Sequence, residues 1–96
     1  MHKYRLTEEA KEDLRRIYEY GFKEFGEMQA DEYFHSFFEA FNKIANSPLI
    51  YQSVDHIRPN YRRCPHRSDA IYYRINQSTI DIMAIVGGQD TDVWLY

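Results

Sequence analysis

The hydrophobic period changes once along this chain, and that change limits the folds available to it. Apolar or small residues recur at Ala10, Leu14, Ile17, Tyr18, Gly21, Phe22 and Phe25, the i, i+4, i+7, i+8 stripe of an amphipathic helix. A second stripe follows at Ala30, Phe34, Phe37, Phe38, Phe41, Ile44 and Ala45. After residue 60 the period falls to two. Ile71, Tyr73 and Ile75 alternate with Ala70, Tyr72 and Arg74, and Ile80, Ile82, Ala84 and Val86 alternate with Asp81, Met83 and Ile85. Helices first and strands later, in one short chain, point to an α+β architecture.

Local signals set the boundaries. Lys3-Tyr4-Arg5-Leu6 alternates as a short strand. Thr7 is placed to cap a helix over 8–25, with Glu8 and Glu9 in the turn where the helix dipole favours negative charge. Gly26 suits a left-handed C-cap, and the second helix closes at Asn46-Ser47-Pro48. So short a joint makes the helices an antiparallel hairpin. Residues 47–60 read as loop. Tyr61 to Pro65 reads as a strand that Pro65 confines to an edge or a bulge, and Asn76-Gln77-Ser78 is a turn. The tail QDTDVWLY has apolar residues without a firm pattern. The expected order is β-α-α-β-β-β, with the helical hairpin on one face of a mainly antiparallel sheet. At 96 residues the chain is expected to be a single domain, 1–96.

Charge is distributed unevenly. Residues 1–57 carry seven Lys/Arg against eleven Asp/Glu, residues 58–75 carry five arginines against Asp69 alone, and residues 76–96 carry three acids and no base. The five are Arg58, Arg62, Arg63, Arg67 and Arg74. Guanidinium forks suit an acidic or anionic partner. The alternative is that they pair with the acidic helices and solvate a sheet face. On a strand Arg62 and Arg63 point to opposite faces, whereas Arg74 shares one with Ala70 and Tyr72.

Other chemistries find less support. Cys64 and His66 make one Cys-x-His pair, where a structural zinc site needs four ligands, so no metal or cofactor is expected. Cys64 has no base assigned to it. Ribonuclease chemistry needs a proton acceptor and donor, and beyond Arg74 the chain has no Lys, Arg or His; His66 or Tyr72 would have to act from the hairpin. A mean hydropathy of −0.69 and the lack of a ~20-residue apolar run argue against a membrane span. No signal peptide is visible, and the lone cysteine fits a reducing cytoplasm. Four phenylalanines within residues 34–41 exceed one narrow seam, which leaves Phe38 or Tyr33 for a partner.

Taken in order, YRLTEEAKEDLRRIYEY, FGEMQADEY and NSPLIYQSVDHIRPNYRRCPHRSDAIYYRI resemble the ParE toxins of the RelE/ParE superfamily over nearly the whole chain. DHIRPNYRR and IYYRI are the most specific stretches. The resemblance implies a cytoplasmic, non-enzymatic toxin that inhibits DNA gyrase. It also implies a ParD-like antitoxin bound in a hetero-oligomer, without sequence-specific nucleic-acid binding. Arg58, Arg62, Arg63, Arg67, Tyr72 and Arg74 are then the expected antitoxin- or target-binding residues. The alternatives are a RelE-like ribosome-dependent mRNA endonuclease and a toxin-like binding module with weak or lost toxicity. One departure stands out: Gly87-Gly88-Gln89-Asp90 carries glycine where such toxins usually place a basic residue after the last strand.

Overall fold

The computed structural model describes residues 2–87. Strand β1 (Lys3–Leu6) leads into helix α1 (Glu8–Phe25) and helix α2 (Glu27–Asn46); then come β2 (Gln52–Ser53), β3 (Arg62–His66), β4 (Asp69–Asn76) and β5 (Thr79–Gly87). The sheet order is β1-β5-β4-β3-β2, with β1 parallel to β5 and every other pair antiparallel. Two helices on one mainly antiparallel sheet is the expected class.

The helix ends follow from their residues. Thr7 Oγ1 accepts the Ala10 N–H at 3.1 Å and satisfies one of the orphan donors of the first turn. Gly26 ends α1 and opens α2 at φ 90°, ψ 171°. The positive φ explains glycine, but the conformation is extended rather than the left-handed helical cap expected. The hairpin closes tightly where a Cβ on Gly21 would lie 3.6 Å from that of Ala30.

Residues 47–60 are not wholly loop. Gln52 and Ser53 pair with Arg63 and Arg62 as a two-residue edge strand too short to leave a period in the sequence. The connection to β3 is a closed turn. Val54 N–H donates to the Tyr61 carbonyl at 2.8 Å, and Asn60, at φ 68°, donates its N–H to Asp55 Oδ1 at 2.7 Å. β2 reaches only Arg62 and Arg63, so Pro65 lies where a missing N–H costs little.

The larger difference is in β5. Tyr72 pairs with Ala84 but Tyr73 pairs with Ile82, which leaves Met83 as the extra residue of a β-bulge. Ile80 and Ile82 face the helices as expected; beyond the bulge the faces exchange. Ile85 joins the helix-side core with Leu14, Phe37, Phe41, Ile44, Ile71 and Tyr73. Ala84 and Val86 instead meet Val54, Ala70 and Tyr72 in a second cluster on the other side, capped by Ile57 and Tyr61. Strict alternation had put Ala84 and Val86 with Ile82; one inserted residue reverses that.

Thr7 and Asp13 fasten α1 to the strand around this irregularity. Thr7 Oγ1 lies 3.1 and 3.0 Å from the carbonyls of Ile82 and Met83, and Asp13 Oδ2 accepts the Ile85 N–H at 2.9 Å. Asp13 is buried, with Arg16 at 3.0 Å as its counter-charge.

Two substitutions test this arrangement by chemical denaturation. Ile82→Ala, at a site with no exposure, is expected to cost about 2–5 kcal/mol. Asp13→Ala leaves a buried N–H unpaired and is expected to cost about 1–3 kcal/mol.

Candidate functional site

The five arginines do not form one patch. Arg67 occupies the β3–β4 turn, seven residues along β4 from Arg74, a separation of ~24 Å at the usual strand rise of ~3.4 Å. The chain therefore has two polar centres, one at each end of β4.

The centre at the β3–β4 turn is closed. Arg67, at φ 55°, lies over the Tyr33 ring with its guanidinium carbon 5.5 Å from the centroid. The Tyr33 hydroxyl donates to Asp69 Oδ2 at 2.5 Å, and the His66 ring stacks on Tyr33 at 5.7 Å and meets Phe37 at 4.5 Å. Ser36 Oγ donates to the Tyr33 carbonyl at 2.6 Å and lies 2.7 Å from His66 Nε2. Because the serine proton is already committed, the contact makes His66 Nε2 the donor. A histidine donating to a serine cannot also take its proton, so this pair is a tie between helix and turn rather than an activated nucleophile. Burial, then Arg67, pushes the His66 pKa below its ordinary value. Burial and the Asp69 hydrogen bond push the Tyr33 hydroxyl well up. Tyr33, proposed from the sequence as a spare ring, is part of this tie.

The centre at the other end of β4 is open. A polar groove of about 480 Å3 there is lined by Ser53, Asp55, Asn60, Arg62, Arg74 and Asn76. Arg62 and Arg74 both line it from opposite faces of the sheet, and Arg62 Nη1 donates to the Tyr51 carbonyl at 2.7 Å. Arg74 Nε donates to Asp81 Oδ2 at 3.2 Å, Asn76 Nδ2 to the same oxygen at 3.3 Å, and Arg5 Nε to Asp81 Oδ1 at 2.6 Å. Arg5, Asp81 and Arg74 are in register on three adjacent strands. The Asp81 side chain is 1% exposed, while those of Arg5 and Arg74 are 65% and 45% exposed. Burial acts to raise the Asp81 pKa, but the hydrogen bonds from Arg5, Arg74 and Asn76 outweigh it and hold the carboxyl below its ordinary value.

The remaining expected residues divide. Arg63 pairs with Tyr72 across the β3–β4 ladder and so lies on the face of the second cluster, opposite Arg62. Arg58 is exposed in the turn before β3. Tyr72 is corrected by the structure: at 1% exposure it is a core residue of the second cluster and supports the arginine-bearing strands from beneath. Arg74 pairs with a strand acid and not with the helices; four acids of α1, Glu8, Glu12, Asp13 and Glu19, are taken by Lys11, Arg15 and Arg16 of the same helix. Arg5 was missed. Its signal was the alternation of Lys3-Tyr4-Arg5-Leu6, which puts Arg5 opposite the two apolar residues that enter the helix-side core.

Cys64 is buried and burial pushes its thiol up, away from nucleophilic use. Among the described residues no three His, Cys, Asp or Glu side chains come together as a metal site. No helix there is long and apolar enough to cross a membrane. An apolar groove of about 590 Å3 runs between the helices, lined by Leu6, Leu14, Tyr18, Phe34 and Phe38. Phe38, expected to be left for a partner, is half-buried on its wall. Of the glycine pair after the last strand, Gly87 closes β5; Gly88, Gln89 and Asp90 lie outside the described residues.

A helical hairpin on a five-stranded sheet with this order defines a known fold. The structure matches one described as the chromosomal ParDE TA system from P. aeruginosa, with a TM-score of 0.80, 18% identity, and coverage of 91% of this chain and 96% of that one. The fold class is therefore RelE/ParE-like. Sequence comparison narrows it further. The family model for the ParE toxin of the type II toxin–antitoxin system parDE matches residues 4–91. Toxin ParE1 of Mycobacterium tuberculosis (strains CDC 1551 / Oshkosh and H37Rv) is 29% identical over 85 residues, covering 88% of this chain and 87% of the relative. Toxin ParE1 of Caulobacter vibrioides is 35% identical over 75 residues, 78% of each. The chain belongs to the ParE toxin family, whose members are in general non-enzymatic toxins.

The two centres make pH statements of the same sign in different windows, testable by denaturation at a series of pH values. A histidine held below its ordinary 6.5 binds its proton later when folded than when unfolded. Stability is therefore expected to fall as pH drops below that value, and His66→Gln should flatten the fall. A carboxyl held below its unfolded value of about 3.9 stabilises above that pH. The deficit of Asp81→Asn should be full at neutral pH and shrink below about pH 4.

Proposed function

We propose that this chain, acting as one domain over its whole length, is the cytoplasmic toxin of a type II pair. On this reading it inhibits DNA gyrase by binding, without a cofactor, and a ParD-like antitoxin neutralises it within a hetero-oligomer. The observation that carries the reading is family membership joined to an arginine-lined groove on an otherwise acidic chain. A long polyanion is repelled by a net charge of −3, whereas a protein segment with a few carboxylates meets the local positive field at Arg58, Arg62, Arg63 and Arg74. The interhelical groove, on the other side of the sheet from Arg63 and Arg74, suits a separate apolar stretch of the partner, recognised as a helix in a groove. The chromosomal ParDE assembly with the same fold supports the antitoxin half of the proposal.

The experiment is a supercoiling and cleavage assay with purified DNA gyrase, with and without the folded chain. Loss of supercoiling with accumulation of cleaved DNA is the expected result. No effect at high toxin concentration rejects gyrase as the target. In parallel, Arg63→Ala is expected to leave the melting temperature nearly unchanged and to weaken capture of a ParD-type antitoxin. A loss of stability as large as that of Ile82→Ala would show that Arg63 is structural.

A further inference from the structure

The row Arg5–Asp81–Arg74 is built as more than a salt bridge. Three strands contribute one residue each, at paired positions of the ladder. The central carboxylate is saturated: Arg5 bonds one oxygen, Arg74 and Asn76 the other. Both arginines reach it through Nε. Among the described residues, neither makes a hydrogen bond through its Nη nitrogens, and both side chains stay substantially exposed. A guanidinium fixed at Nε has its plane and position set before a ligand arrives, which reduces the ordering cost of binding.

We propose that Arg5 and Arg74, positioned by Asp81, form a preorganised site for a carboxylate side chain of an acidic polypeptide partner. The site adjoins the polar groove, where Ser53, Asn60 and Asn76 can take the neighbouring main chain. This rests on the antitoxin-binding reading and deepens it, adding Arg5 on β1 to an interface otherwise carried by β3, β4 and the turn before them. Charge selects carboxylate over phosphate. Two guanidinium groups and one ionised Asp81 leave a single net positive charge, the match for a monoanion, and Asp55 and Arg62 on the groove wall offset each other. A nucleic-acid backbone would meet these acids together with the chain's overall negative charge.

The test follows the arginine Nε–Hε signals by NMR in the intact chain. Three probes are added separately: an acetylated and amidated tetraglutamate peptide, inorganic phosphate, and a short oligothymidylate. Saturable shifts of the Arg5 and Arg74 signals with the peptide, weaker with the other two, are the expected result. Arg5→Gln and Arg74→Gln should each weaken peptide binding about tenfold. Lys23→Gln, which removes the same charge at the end of α1, should leave it unchanged. The inference is overturned by no saturable shift in the unsubstituted chain, by tighter binding of phosphate or oligothymidylate, or by an equal effect of Lys23→Gln. The unsubstituted titration does not depend on any variant folding. It also needs no antitoxin, so a failed titration with antitoxin capture intact removes this site and leaves the broader function standing.

Discussion

Everything that places the two polar centres depends on the bulge at Met83. β5 is central, with β1 on one side and β4 on the other, and it must serve two cores at once. Before the bulge, Ile80 and Ile82 supply the helix side while Asp81 faces away; after it, Ile85 supplies the helix side while Ala84 and Val86 face away. A regular strand would have put Ile85 under the loop and the small Ala84 beneath the helices. The bulge also interrupts the ladder beside the end of β1, and α1 meets the exposed backbone there. Thr7 and Asp13 do this with two side chains six residues apart, so capping the helix and fastening it to the sheet become one event. A buried aspartate is costly, but here it satisfies a strand N–H that has no partner in the ladder, and Arg16 offsets its charge.

The two ends of β4 differ in what they leave available. At the β3–β4 turn, Tyr33, Ser36, His66 and Asp69 use their donors and acceptors on one another, and Arg67 rests on an aromatic face. Such a network fixes the turn to α2 and defines one conformation. At the other end Asp81 is saturated but its donors are not, since an arginine bonded through Nε keeps most of its N–H groups. Burying Asp81 therefore orients positive charge at the surface instead of consuming it. The groove end keeps N–H groups available at the surface, and the turn end consumes them.

Much of this was legible in the sequence. The 3.6 period of residues 10–45 fixed both helices, and Thr7 and Gly26 marked their ends because capping is a local matter of one side chain or one φ angle. Alternation identified β4 and the first half of β5. The bulge was not legible: Met83 is apolar like its neighbours, and the reversal becomes visible only when β4 fixes the register. β2 was missed because two residues carry no period. Charge clustering in sequence grouped Arg62, Arg67 and Arg74, but the hairpin carries Arg67 to the far end of β4 from the other two. Tyr72 was selected for its position beside the arginines, where alternation alone could not distinguish a second core from solvent. Arg5 lies outside the cluster and reaches the site only through the parallel pairing of β1 with β5, a contact spanning most of the chain.

That long-range pairing also bears on why binding suits this surface better than catalysis. A general base needs a group with a free lone pair facing a reacting atom, and an acid needs a proton to give. In the open row the one carboxylate has both oxygens engaged by cations that hold it ionised, so it can neither accept a substrate proton readily nor release one. At the closed end, His66 already donates from Nε2 and is kept neutral by burial, and Tyr33 is held protonated by Asp69 and its own burial. Burial shifts His66 towards neutrality and, with Asp69, Tyr33 towards its protonated form, while the arginines and Asn76 shift Asp81 towards fixed charge. Fixed charge on rigid strands is what electrostatic recognition needs, because the complementary field is present before the partner arrives. The same hydrogen bonds that make these groups poor proton carriers make the arginines well-ordered ligands for a carboxylate.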